Sequence, residues 1–106
     1  MSNNYNPSPM DLRDVVLPEN LKPLIEKLAK NVHEIWAAER IKDGWSYGTM
    51  RDDLKKETPC LVEYDALPEE EKKYDRETVL GVLKMILKSG YVVSQKYPVD
   101  SDLHAL

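Results

Sequence analysis

The feature that most restricts this chain is an apolar stripe. Leu21, Leu24, Ile25, Leu28, Val32, Ile35 and Trp36 recur at intervals of three and four residues, with adjacent pairs. An α-helix gathers that spacing onto one face, whereas a half-buried strand needs alternation at every second residue. The spacing predicts an amphipathic helix running to about Lys42. Pro18 suits the first helical turn, where a missing N–H costs nothing, and Glu19 beside it favours the positive end of the helix dipole. Pro23 offers a second start, with residues 18–22 then forming a separate turn. Gly44 is placed to end the helix as its C-terminal cap.

A second stripe comprises Val79, Leu80, Val82, Leu83, Ile86 and Leu87. Asp75 precedes it as a candidate N-cap with Glu77 in the first turn, and Gly90 closes it. Gly81 within the stripe weakens the helix by about 1 kcal/mol relative to Ala. Close approach of the first helix is one reason to tolerate it. The expected fold is mainly α, with two principal antiparallel helices at about 18–42 and 76–89. A long segment with a short helix and one or two short β-strands joins them. Residues 49–60 are polar and read as a loop with one turn of helix. Leu61–Tyr64 is extended, and Pro68 followed by acids and then lysines has the charge order of a short helix. Tyr91–Ser94 is a β-prone run that would pair with 61–64 or with the segment around Tyr47. A single domain over 5–95 is expected, with tails at 1–4 and 96–106.

Composition narrows the function classes. The net charge is −4, which argues against non-specific binding to nucleic acid or anionic membrane, since both need a basic face. The single cysteine, Cys60, cannot form an internal disulfide and fits a reducing compartment. The first residues lack a charged start followed by an apolar run, so no signal peptide is expected. No apolar run approaches the ~18 residues of a membrane span. The expected location is the cytoplasm. His33 and His104 are the only histidines, and with one cysteine there is no zinc spacing. Asp52-Asp53 and Glu69-Glu70-Glu71 lack the alternating ligands of a calcium loop. No metal and no cofactor are expected. Nothing sets a nucleophile beside a base, so catalysis is not expected either.

The best constellation surrounds Gly44-Trp45-Ser46-Tyr47-Gly48. Turns are normally small and polar, yet this one holds two large aromatics. Its glycines suggest unusual backbone conformations or close approach of the chain. On a helical wheel Ala29, His33, Trp36 and Arg40 share the edge that leads into it. In one reading these residues are structural: His33 bonds a backbone carbonyl, Trp36 is core, and Arg40 pairs with Asp43, Asp52 or Asp53. In the other, His33, Trp36, Arg40, Trp45, Tyr47 and Asp52 form a ligand-binding site. There an aromatic face stacks a planar ligand while Arg and His contact phosphate or carboxylate.

The run Leu28–Ala37, then Arg40-Ile41 and Gly44-Trp45-Ser46-Tyr47-Gly48, resembles the ryanodine receptor repeat, or RyR domain. The likeness continues through Asp52-Asp53, Pro59, Leu61-Val62, Tyr64-Asp65 and Leu67-Pro68 and ends near Gly90-Tyr91. It implies two helices joined by a long segment with short strands, in a cytosolic, non-catalytic module. Similar single-domain members occur in bacteria and phages. In the animal receptors these domains come in tandem pairs, which implies a homodimer, or another protein partner, for a chain with one copy. Nucleotide-type ligands are linked to some members, which implies a nucleotide or related phosphate ligand near the aromatic turn. No kinase site carries over, because Ser89 and Ser94 lack the Arg-Arg-x-Ser context, and neither does a channel activity.

Overall fold

A computed structural model of the chain describes residues 4–96. Of the expected tails, residues 1–3 and 97–106, His104 included, lie outside the described residues. A 3-10 turn at Glu19–Leu21 precedes helix α1, Lys22–Lys42. Strands β1 (Ser46–Tyr47) and β2 (Glu57–Thr58) follow, then a 3-10 turn at Tyr64–Ala66 and helix α2, Glu69–Lys88. The architecture is mainly α with two principal helices.

Both prolines at the first helix have a place. Pro18 caps the 3-10 turn, and Pro23 sits in the first turn of α1, where the backbone N–H has no helical partner. The second of the two candidate starts is the one taken. Helix α2 corrects a boundary. The short helix expected after Pro68 and the one expected at 76–89 are a single 20-residue helix. Three acids in its first turn favour the start, and no glycine or proline interrupts residues 69–80. Asp75 is therefore a mid-helix residue whose carboxylate turns towards His33.

The helices run antiparallel. Leu21 packs in one cluster with Leu83, Ala29 in another with Val79, and His33 faces Asp75, so partners on α2 step backwards as α1 advances. The first cluster joins Leu17, Leu21 and Leu83, flanked by Leu24, Leu80, Leu87 and Val93. The second joins Ala29, Tyr64, Leu67 and Val79, flanked by Cys60 and Val62. Among the described residues no helix is long and apolar enough to cross a membrane.

Several expectations about the joining segment are overturned. Leu61–Tyr64 is not a strand, because the Val62 carbonyl turns to His33 and Tyr64 begins a 3-10 turn. Tyr91–Ser94 is not a strand either, and its Val93 folds onto the Leu17–Leu21–Leu83 cluster. The paired strands are β1 and β2, which are parallel, with Ser46 opposite Glu57 and Tyr47 opposite Thr58. Residues 49–60 contain no helical turn. Asp52 and Glu57 exchange both backbone hydrogen bonds at 2.9 Å and close a four-residue loop between them.

The apolar stripes are wider than the surfaces that cover them. Ile35 is 57% exposed and Val82 56%, because each helix has one helical neighbour and only a narrow sector faces it. Gly81 is a further correction. A methyl group there would meet nothing within 4 Å, so close helix approach does not explain the glycine. Gly81→Ala is therefore expected to stabilise the protein by about 0.5–1 kcal/mol, through helix propensity and a less flexible unfolded chain. A thermal melt should show a rise of about 3–6 °C.

Candidate functional site

The site grows from the way α1 ends. The Trp45 N–H donates to the Arg40 carbonyl at 2.9 Å, and the Gly44 N–H donates to the Ile41 carbonyl at 3.0 Å. This is the pair of bonds of a Schellman cap, and it needs a left-handed residue at Gly44, whose φ is +94°. Such a cap folds the residue after the glycine back against the residue three positions inside the helix end. Those residues are Trp45 and Arg40. The Arg40 guanidinium carbon lies 5.2 Å from the Trp45 ring centre.

Helical spacing extends the contact down α1. Arg40 is also 5.7 Å from the Trp36 ring, four residues back. Trp36 stacks on His33, three residues further back, with ring centres 5.6 Å apart. Arg51, from the loop after β1, lies 5.3 Å from the Trp45 ring centre. His33, Trp36, Arg40, Trp45 and Arg51 thus form one ladder of three rings and two guanidinium groups.

The second glycine of the turn answers to crowding. A β-carbon at Gly48 would stand 2.7 Å from Glu57 Cβ, because β1 and β2 meet there with the Gly48 N–H donating to the Thr58 carbonyl. Glycine thus lets the long loop close beside the ladder and deliver Arg51.

The six expected site residues divide. His33, Trp36, Arg40 and Trp45 are brought together. Tyr47 is 55% exposed on β1 and is not in the ladder. Asp52 is a turn former: its carboxylate accepts from the Leu54 and Lys55 N–H groups at 3.1 Å, so it faces its own loop. Arg51 was missed by sequence reasoning, since only the loop's path brings it to Trp45. Its Nε donates to Asp53 at 2.8 Å.

The structural reading fares differently at two residues. His33 is buried, and its Nε2 donates to the Val62 carbonyl at 2.7 Å, as the structural reading expects. Arg40 corrects that same reading, because it pairs with none of Asp43, Asp52 or Asp53. It forms no ion pair among the described residues, and its partners are the two indoles. Trp36 is half-buried, not core.

Beside the ladder, between α1 and α2, lies a cleft of about 170 Å³ lined by His33, Trp36, Cys60, Leu67, Glu71, Tyr74 and Asp75. Burial raises the Asp75 pKa above the ordinary carboxylate value, and Glu71 adds to the rise while His33 opposes it. Burial likewise raises the Cys60 thiol, which donates to Glu71 at 3.5 Å. Among the described residues no group of three His, Cys, Asp or Glu side chains is placed to hold a metal ion.

The fold and the ladder together define a class, a small two-helix domain whose surface is organised by stacked aromatic and guanidinium groups at the end of its first helix. The chain belongs to the RyR domain family, whose model matches residues 5–95.

Proposed function

We propose that this protein is a non-catalytic binding module of the cytoplasm that recognises its ligand at the Trp36–Arg40–Trp45–Arg51 ladder. The observation that carries the reading is Arg40. Its guanidinium is held between two indoles and forms no ion pair among the described residues, which leaves its planar fork of donors for an incoming anion. Arg51 adds a second positive group beside Trp45. Two arginines around an indole suit a ligand with a planar ring and an acidic group, and a nucleotide or related phosphate compound has both. A raised thiol pKa is the opposite of an activated nucleophile, which supports a role without catalysis.

Titrating nucleotides and inorganic pyrophosphate while following Trp fluorescence tests this reading. A saturable change is expected in the micromolar to millimolar range. Arg40→Ala should weaken it by about tenfold or more, consistent with loss of a charged hydrogen-bonding group, while the melting point stays within a few degrees. No response to any of these compounds at millimolar concentration overturns the reading.

The segment that carries Arg51 also exposes apolar side chains. Tyr47, Met50 and Leu54 are 55%, 76% and 99% exposed. Such residues favour a protein contact, and we infer that two copies associate as a two-fold dimer. Light scattering that shows only monomer at high micromolar concentration would count against it.

A further inference from the structure

Lys56 stands out in the loop that carries Arg51. Among the described residues it is the only non-glycine with a positive φ, +56°. That left-handed conformation crowds a β-carbon against the backbone, and glycine or asparagine adopts it more readily. A lysine on an exposed turn is ordinarily a solvated charge, which gives no reason to hold a strained position. Here the side chain has a target. Its Nζ donates to the Asp43 carbonyl at 2.9 Å. That carbonyl lies at the C-terminal end of α1, where the last acceptors lack helical partners and positive charge is favoured. The stem crosses Gly44, since a β-carbon there would lie 3.9 Å from Lys56 Cδ. The backbone of the same residue takes a second hold, with the Ser46 N–H donating to the Lys56 carbonyl at 2.9 Å. Asp43 and Ser46 bracket Gly44 and Trp45, so Lys56 grips the turn on both sides of the indole.

We propose that Lys56 is a positioning residue for the anion site. It ties the loop to the end of α1 and so holds Arg51 against Trp45, where Arg51 and Arg40 can serve one ligand. This rests on the ladder reading of the site. The loop also joins the turn through β1 and β2, but each is two residues long, and pairing that short is weak by itself. The bonds within the loop, between Asp52 and Glu57 and between Arg51 and Asp53, give it a fixed shape without anchoring it to α1. The Lys56 ammonium supplies that anchor. Such a clamp raises affinity by preorganisation, because the ligand need not order the second arginine itself.

The test compares Lys56→Gly, Lys56→Arg and Arg51→Ala in the whole chain. Lys55→Gln is the control, removing the same charge one residue away. Lys56→Gly should melt within about 3 °C of the parent, because glycine relieves the left-handed residue while a hydrogen bond is lost. In the ligand-free protein its Trp45 indole N–H NMR signal should move towards the position it takes in Arg51→Ala. The Trp36 signal should move less, since that ring contacts Arg40 and His33. In the fluorescence titration with inorganic pyrophosphate, Lys56→Gly and Arg51→Ala should each weaken binding about fivefold. The double variant should bind within about twofold of Arg51→Ala alone, as for two residues acting through one contact. Lys56→Arg keeps a cationic donor for the helix end and should stay within about twofold of the parent, as should Lys55→Gln. The proposal is overturned if the Trp45 signal does not move in Lys56→Gly, or if Lys55→Gln weakens binding as much. It is also overturned if the Lys56 and Arg51 effects multiply, which would make Lys56 a ligand contact in its own right. A parent protein without a pyrophosphate response overturns the ladder reading instead, and the ligand-free Trp45 signal still decides whether Lys56 holds Arg51.

Discussion

Leu21→Ala is expected to cost about 3 kcal/mol of stability, within the range for truncating a buried leucine. Leu21 is fully buried, at 0% exposure. It stands where three parts of the chain converge: Leu17 from the leading segment, Leu83 from α2 and Val93 from beyond α2. Lys88 reinforces the junction by donating to the Asp11 carbonyl at 2.9 Å and to Asp14 at 3.1 Å. Truncation to alanine removes these contacts and leaves a cavity that neighbours fill only in part. A domain of this size has only ~5–15 kcal/mol in total. The melting point should fall by about 12–24 °C. Ile35→Ala and Val82→Ala, on the exposed flanks of the same stripes, should each change stability by less than ~0.5 kcal/mol. A Leu21→Ala protein as stable as the parent would mean that this cluster is not the core.

His33→Ala carries the second large effect, again about 3 kcal/mol. Removing the ring leaves the Val62 carbonyl without its donor, worth about 1–3 kcal/mol. It also removes packing against Trp36 and Tyr64, whose ring centres lie 5.6 and 6.2 Å from His33. The loss separates a structural histidine from a ligand-contacting one. Measured at a temperature where the variant is folded, nucleotide or pyrophosphate response should change by less than about threefold, because Arg40, Trp45 and Arg51 remain. A stable His33→Ala protein that has lost this response would reverse the assignment. Urea unfolding and the fluorescence titration supply the two numbers.

Much of the ladder was legible in the sequence, because most of it is local. His33, Trp36 and Arg40 share an edge through helical spacing alone. Gly44 after Lys42-Asp43 signals a left-handed cap, and the cap geometry carries Trp45 onto Arg40. Arg51 was not legible. Its place depends on a parallel strand pair two residues long and on the loop closed by Asp52 and Glu57, and pairing of that kind leaves little periodicity in a sequence. Asp52 was misassigned for a related reason: an aspartate beside a positive site and an aspartate that folds its own loop look alike until the loop is closed. Leu61–Tyr64 and Tyr91–Ser94 carry β-prone residues, yet both are held by contacts with the helices.

By itself the sequence determined the two helices, their apolar faces, the glycine caps and the family to which the chain belongs. These rest on short-range spacing and on backbone conformations that few residues can adopt. Tertiary structure alone decided which part of each stripe is covered and that Gly81 faces open space. It also placed Arg51 beside Trp45 and set Glu71 and Asp75 across a cleft from His33. The physical reason is common to all of these. Each depends on how two elements distant in sequence are brought side by side, and burial, like charge interaction, is set by distance in space.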